Sequence, residues 1–510
     1  MKHFESRNEF FQKPNFEGIQ ENKEKFSVNL RKAKRQAGFE NYRKSVCINQ
    51  KLSGFSVPEE LIKIERKLGG QVETLEKLVI LLGIAVNGKV DNAVQALGVL
   101  IEHVKDFHEN FDKVPIEISE GLIYNLKLSN KELQENTIIY IDSIFTNNRE
   151  NVFQFYKTKL FQTLIELLRN GKGLTLPYTL NTIFNYTFFK EVPIDLNSQL
   201  LINLFYILEN KSSASFKNVE IVIFLFKRFD LKSIENKLAL EMAEWLIKFI
   251  KGPQVEIVQV SVSTLSGKLL ENNVILPVVL KASEDLVNLL EHDIPFIVSN
   301  TLLIVQVITS GSDDNTQTLL NLGVLDKFIK ILNRFWSSSN RLCSMVAQCI
   351  SNVFAGTENQ ILFVLSYPNP IINCFLQQND RILYREGVYC CANILCKQSK
   401  AAILKLIKNG SILLMMEKMD IQNDEDSFNI VKKIHYILSK LERYLDGNEW
   451  IELIETFLSN NIYEKIEALL QHKIIKSANI ISLLEKISKI IQQEQPKSIN
   501  LNPPQMFNFS

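Results

Sequence analysis

Apolar residues recur along the chain with the period of an α-helix. From about residue 56 to residue 490, stretches of about 10–18 residues show this spacing, and Asn, Gly, Ser or Asp separates one stretch from the next. The 510 residues include only 19 Gly and 13 Pro, while Leu, Ile, Lys and Glu are abundant. This pattern predicts an all-α protein.

The residues that separate these stretches recur at a regular distance. Gly311 and Gly356 are 45 residues apart, and Gly323 and Gly410 are 87 apart, which is two units of about 43. Units of roughly 40–47 residues with two or three helices are typical of armadillo and HEAT repeats, which stack into a superhelix with a concave groove. We therefore predict an all-α armadillo-repeat fold, a right-handed superhelical solenoid of about ten repeats. A non-repetitive all-α protein is the alternative.

Basic residues are concentrated in an arm near the N-terminus. Residues 23–44 contain eight basic and two acidic residues, a net charge of +6, whereas the whole chain carries +1. Leu30, Ala33 and Ala37 have helical spacing, which predicts a short basic helix. Such an arm favours docking on an acidic surface, either on its own body or on a partner. A solvated terminus or a nucleic-acid-binding arm would show the same charge.

The sequence of this arm is similar to a known domain. Residues 28–35 and 42–44 resemble the importin-β-binding domain of importin-α proteins, which has a V-x-L-R-K-x-K-(K/R) core followed by a K-R-R cluster. Tyr42 stands where the first Lys of that cluster is expected. The resemblance implies that the arm binds an importin-β-type carrier. The residues implied in that contact are Arg31, Lys32, Lys34, Arg35, Arg43 and Lys44.

Two asparagines lie one repeat apart in the body. Asn352 and Asn393 are separated by 41 residues, each near the end of a helix that precedes a break between helices. Stacked repeats should place them side by side along the groove. A carboxamide both donates and accepts hydrogen bonds, so a row of them can hold the backbone of an extended peptide. The alternative is that these are ordinary polar surface positions.

The same helices resemble the repeats of importin-α proteins, which carry a W-x-x-x-N motif. Residues 351–356 match its second half, residues 386–393 match an E-x-x-W-x-x-x-N form, and residues 182–185 match a third version. None of the three Trp lies at a motif position. The resemblance implies a cargo groove whose motif residues are better matched in the C-terminal half. Its Asn side chains would hydrogen-bond to the cargo backbone. The implied cargo-binding residues are Asn181, Asn185, Gln348, Asn352, Glu386, Tyr389 and Asn393. Among them, Glu386 would pair with an Arg or Lys of the cargo, and Tyr389 would form an aromatic wall of the groove.

The sequence contains no motif that indicates catalysis or metal binding. It lacks a P-loop, a dinucleotide-binding fingerprint, an HExxH pair and a nucleophile elbow, and its six His are scattered. Most of the seven Cys fall within apolar helical patterns, which indicates reduced thiols. No apolar run reaches the ~18 residues that span a bilayer. We expect no enzyme activity, no cofactor, no metal and no membrane contact.

Three regions are expected: a basic arm at 1–52, an armadillo-repeat domain at 56–490 and a disordered tail at 491–510. Residues 507–509 of the tail resemble the terminal F-N-F of importin-α proteins. The whole resemblance implies a nuclear import adaptor that shuttles between cytoplasm and nucleus. Its partners would be an importin-β-type carrier, basic nuclear localisation signals of cargo and an export receptor for recycling. The near-neutral body argues against direct nucleic-acid binding there.

Two alternatives remain open from the sequence. One is an armadillo scaffold that binds a non-basic protein partner, and the other is nucleic-acid binding through the arm.

Overall fold

The computed structural model describes the chain between residues 85 and 492, apart from 87–89, 103–115, 148–151, 153–154, 156–157, 171–174, 188–197, 211–214, 337, 368–370, 378–379, 398, 420–424 and 472–477. The described residues form helices and no strand. The basic arm and nearly all of the predicted tail lie outside them, and the last helix ends at Gln492. The chain divides into two compact units near residue 282.

In the first unit the described helices run to residue 281. They are α1 (Val90–Glu102), α2 (Ile116–Lys127), α3 (Lys131–Asn147), α4 (Leu160–Asn170), α5 (Thr175–Tyr186), α6 (Ser198–Glu209), α7 (Phe216–Phe226), α8 (Asn236–Ile250), α9 (Val255–Glu271), a 3-10 turn (Asn273–Ile275) and α10 (Leu276–Lys281).

The described residues of the second unit also form helices. Its described helices are α11 (Ser283–Leu289), α12 (Pro295–Thr309), α13 (Asp313–Asn321), α14 (Val324–Phe335), α15 (Asn340–Val353), α16 (Glu358–Leu365), α17 (Ile371–Leu376), α18 (Arg381–Cys396), α19 (Lys400–Lys408), α20 (Ser411–Glu417), α21 (Glu425–Tyr444), α22 (Gly447–Ser459), α23 (Ile462–Gln471) and α24 (Ala478–Gln492).

The repeating element is a group of three helices, best seen in α13, α14 and α15. Ser312 begins the first helix because its hydroxyl accepts a hydrogen bond from the backbone N–H of Asn315 at 3.2 Å. Gly323 separates the first two helices with a φ of 76°, a left-handed conformation that suits glycine. Gly410 takes the same conformation, with a φ of 71°, at the corresponding place two repeats later. The spacing of these glycines therefore marks the repeat, as the sequence predicted.

The last helix of each group packs against its counterpart in the next group, and we call these the third helices. In the first unit they are α1, α3, α5, α7 and α9, each packed on the next. In the second unit they are α12, α15, α18, α21 and α24, packed in the same manner. Each stack buries a continuous apolar core, and the predicted all-α repeat fold is confirmed. None of the described helices is long and apolar enough to cross a membrane.

Candidate polypeptide-binding face

Each third helix leaves only a narrow stripe uncovered, because neighbours pack on its other sides. On α15 this stripe includes Arg341, which is exposed, and Gln348, which is half-buried. On α18 it includes Ile382, Arg385 and Tyr389. Gln348 and Tyr389 are 41 residues apart, so the stripes of adjacent repeats lie in register. We call the set of stripes within one unit its third-helix face.

The predicted cargo residues all lie on third helices, but at different depths. Asn181, Gln348 and Tyr389 are half-buried. Four others are buried: Asn185, Asn352, Asn393 and Glu386 are 6%, 9%, 4% and 3% exposed. Their role in holding a peptide stays a prediction.

The structure shows what the buried amides do within the fold: they bridge neighbouring third helices. The Asn393 side-chain NH2 donates to the backbone carbonyl of Ser351 at 2.9 Å. The Asn352 side-chain NH2 donates to the hydroxyl of Thr309 at 3.1 Å. In each case the acceptor belongs to the preceding third helix. A buried hydrogen bond of this kind fixes the register between two repeats.

The positions where importin-α repeats carry Trp are used in the same way. The side-chain NH2 of Gln306 on α12 donates to Oε1 of Gln348 at 2.7 Å. In the first unit Asn181 on α5 donates to both carboxylate oxygens of Asp142 on α3, at 2.8 and 2.9 Å. Polar side chains at these positions thus form hydrogen bonds between neighbouring third helices.

Asp142 is the centre of a buried polar cluster that sequence reasoning missed. Besides Asn181, the hydroxyl of Thr182 and the side-chain NH2 of Asn185 lie 3.4 Å from its Oδ1. Burial raises the pKa of Asp142 from 3.8 to about 7, while these three hydrogen bonds act in the opposite direction. Burial and the nearby Asp142 charge raise the pKa of the Tyr178 hydroxyl. Asp142 lies 39 residues before Asn181, one repeat earlier, and this spacing was the available signal.

Glu386 was predicted to pair with a basic residue of cargo. Its side chain is buried, and its Oε1 lies 3.8 Å from the guanidinium of the adjacent Arg385. The carboxylate is therefore placed inside the repeat beside a cation of the same helix. This position gives the face around Tyr389 no exposed negative charge from Glu386.

The described residues contain no group of three or more His, Cys, Asp or Glu arranged to hold a metal ion. Six cysteines are described, and all are free thiols. Burial raises the pKa of the Cys391 thiol to about 12, which disfavours the reactive thiolate.

Comparisons with known proteins concern the architecture. No protein-family model matches the sequence, and no curated protein matches it. An engineered protein from a structural genomics consortium has a similar structure, with a TM-score of 0.55 and 14% identity over 85% of this chain and 98% of the other. The fold is a helical repeat of the armadillo type. At this identity the similarity concerns the fold alone.

Designed armadillo-repeat proteins are similar over a smaller part of the chain. One such design gives a TM-score of 0.39 and 17% identity, covering 49% of this chain and 99% of the design. Another, a computational design for modular peptide recognition, gives a TM-score of 0.41 and 18% identity over the same shares of the two chains.

The interhelical role of the buried amides leads to a stability prediction. Replacing Asn393 by Ala should lower the free energy of unfolding by about 1–3 kcal/mol, because the carbonyl of Ser351 loses its buried donor. Denaturant unfolding followed by circular dichroism measures the change. Asn448→Ala is a matched control, because Asn448 is exposed and its loss should cost no more than about 0.5 kcal/mol. Equal effects of the two substitutions would contradict the bridging role.

Proposed function

We propose that the protein is an adaptor that holds an extended polypeptide on its third-helix face and engages an importin-β-type carrier through the basic arm. The observation that carries the first part is the alignment of Gln348 and Tyr389 on neighbouring stripes, one repeat apart. Packed helices lie about 8–10 Å apart, and an extended chain advances about 3.3 Å per residue. Roughly three residues of bound chain therefore correspond to each repeat. A regular stack of repeats can thus contact equivalent positions along an extended chain.

The second part of the proposal rests on the arm. Residues 28–35 keep the spacing of apolar and basic positions found in importin-β-binding domains, and residues 23–44 carry a net charge of +6. A segment this basic gains most from an acidic partner surface. In this proposal the adaptor shuttles between cytoplasm and nucleus, carries cargo by its localisation signal, and returns with an export receptor.

The test is a pull-down of an importin-β-type carrier by the full chain. Reversing Arg31, Lys32, Lys34 and Arg35 to Glu should weaken carrier binding by at least about 100-fold, because four charge-assisted contacts are lost together. The control reverses two exposed lysines of the body, Lys217 and Lys408, and should leave binding unchanged. Carrier binding that survives the arm reversal would refute this part of the proposal.

One observation favours a scaffold for a non-basic partner as a second candidate. The buried carboxylate of Glu386 lies beside Arg385, and the exposed and half-buried positions of α21 include Lys432, Lys433 and Lys440. A groove built for basic signals would instead present carboxylates to solvent. Binding of a basic signal peptide to the full chain, compared with its charge-reversed counterpart, distinguishes the two candidates.

A further inference from the structure

The third helix α21 exposes a patch of basic and aromatic side chains, which we call the α21 patch. At 100° per residue, Lys432, Lys433, Lys440 and Arg443 all fall within about 60° of Tyr436 around the helix axis. Lys432 and Arg443 are exposed, and Lys433 and Lys440 are half-buried. The opposite side of α21 is buried and mostly apolar, with Ile430, Ile434, Ile437 and Leu441 each 0% exposed beside the buried hydroxyl of Ser427. The cations are therefore directed to solvent by the amphipathic pattern of the helix.

The neighbouring third helix, α18, contacts α21 at two points. The guanidinium of Arg381 donates to the hydroxyl of Ser427 on α21, and Sγ of Cys396 lies 3.3 Å from the hydroxyl of Tyr436. The second contact brings the uncovered stripes of the two helices together at Tyr436, whereas Ser427 is buried on the opposite side of α21.

Among the described side chains of α18 and α21, few carboxylates oppose these cations. On α18, Glu386 is buried next to Arg385, and Asp380 accepts the backbone N–H groups of Ile382 and Leu383 at 2.9 and 3.0 Å. On α21, Glu425 lies at the first turn, and Glu442 lies about 120° from Tyr436 around the helix axis, outside the α21 patch; both are exposed. Lys432, Lys440 and Arg443 have no ion pair with any side chain that the structure describes.

The aromatic rings of the patch are covered by its own lysines. The Lys440 ammonium lies 5.7 Å from the ring centre of Tyr436 and 5.6 Å from that of Tyr444. The Lys433 ammonium lies 5.9 Å from the Tyr436 ring. Single-stranded nucleic acid gains affinity by stacking bases on exposed ring faces, which these lysines occupy. The whole segment 283–510 also contains slightly more acidic than basic residues, which disfavours a long polyanion.

We infer that the α21 patch binds an acidic segment of a partner polypeptide in extended conformation. The inference rests on the second candidate function, a scaffold for a non-basic partner, and specifies the chemistry of the bound segment. Lys432 and Arg443 are about 16 Å apart along the helix, which corresponds to about five residues of extended chain. A run of Asp and Glu of this length places carboxylates within reach of Lys432, Lys440 and Arg443. The lysine ammoniums, held over the tyrosine rings, are pre-positioned for them.

The experiment measures binding of fluorescent peptides to the full chain by anisotropy at low and physiological salt. The probes are a ten-residue peptide rich in Asp and Glu, its Asn/Gln counterpart, its Lys/Arg counterpart, and single-stranded oligothymidine. The double variant Lys432→Glu/Lys440→Glu is compared with Lys405→Glu/Lys408→Glu, a matched reversal on α19 that lies outside the patch. The arm reversal at positions 31, 32, 34 and 35 is measured alongside, because the arm is also basic.

We expect the acidic peptide to bind the wild type more tightly than the other probes, and the α21 reversal to weaken it at least 10-fold. The α19 reversal and the arm reversal should change this affinity less than 2-fold. Equal affinity for the acidic and neutral peptides would overturn the inference, as would loss of binding in the arm variant alone. Tighter, α21-dependent binding of oligothymidine would overturn it in favour of nucleic acid. Carrier binding in the pull-down is an independent readout, so the adaptor proposal survives or fails separately.

Discussion

Replacing Asp142 by Asn is expected to remove a pH dependence of stability that the wild-type protein shows between pH 5 and 8. The wild-type carboxyl is enclosed between α3 and α5, with Asn181 donating to both of its oxygens at 2.8 and 2.9 Å. Burial opposes its ionisation, and its pKa rises to about 7 in the folded protein. In the unfolded chain the same group loses its proton near pH 4.

The sign of the effect follows from which state holds the proton. Between about pH 4 and pH 7 the folded state keeps the Asp142 proton while the unfolded state has released it, so stability falls as the pH rises through this window. Each pKa unit corresponds to about 1.4 kcal/mol, so the loss between pH 5 and pH 8 is about 3 kcal/mol. Above the folded pKa the dependence levels off.

Melting temperatures at pH 5, 6, 7 and 8 measure this effect. Asp142→Asn should match the wild type at pH 5 and melt roughly 5–10 °C higher at pH 8, because a neutral amide has no cost of ionisation there. Glu132→Gln on the same helix is the control, since Glu132 is exposed and its removal should leave the wild-type dependence unchanged. Parallel curves for wild type and Asp142→Asn would show that the buried carboxyl does not titrate in this range.

The repeat fold was predictable because its signals are local and recur. Gly323 and Gly410 end first helices with positive φ, and no other residue type takes that conformation as readily, so their spacing is visible in the sequence. The amphipathic period marks each helix, and the distance of about one repeat between Asn352 and Asn393 places both on third helices. These features can be recognised from the periodicity of the amino-acid sequence alone.

The burial of the Asn side chains on the third helices could not be predicted in the same way. Whether Asn352 faces solvent or a neighbour depends on how closely two third helices approach, and the sequence of one helix does not contain that distance. Its partner, Thr309, lies 43 residues earlier in another repeat. Comparing polar residues one repeat apart, rather than within one motif, would have paired them, as it would have paired Asn181 with Asp142.

The cations of α21 were missed for a different reason. The importin-α resemblance directs attention to Asn and Trp positions, and Lys432, Lys440 and Arg443 occupy none of them. Read by helical angle instead of by motif, they form a single stripe. The charge of the face is therefore a property of this chain that the resemblance does not convey.

Replacing Lys268 by Ala is expected to destabilise the first unit by about 3–5 kcal/mol. Lys268, on α9, is 4% exposed, and its ammonium donates to the backbone carbonyl of Phe229 and lies 2.9 Å from Oε2 of Glu271. The other oxygen of Glu271 accepts the backbone N–H of Leu231 at 2.8 Å. The pair thus ties the segment after α7 to the next third helix.

The alanine variant removes only one partner, and that determines the size of the effect. It leaves the Phe229 carbonyl without its donor and the Glu271 carboxylate without its counter-charge, which costs more than the ion pair contributes. Denaturant unfolding of Lys268→Ala should show the full loss, whereas Lys281→Ala, at an exposed position of α10, should change stability by no more than about 0.5 kcal/mol.

A double variant separates the unpaired charge from the lost packing. Lys268→Met/Glu271→Gln should regain most of the stability, because the amide oxygen introduced at position 271 still accepts from the backbone N–H of Leu231 and no charge is left unpaired. The methionine also restores most of the buried side-chain volume that alanine removes. Lys268→Met alone restores the same volume but leaves the Glu271 carboxylate unpaired, so equal stability of this single variant and the double variant would show that the cost arises from lost packing and not from the unpaired carboxylate.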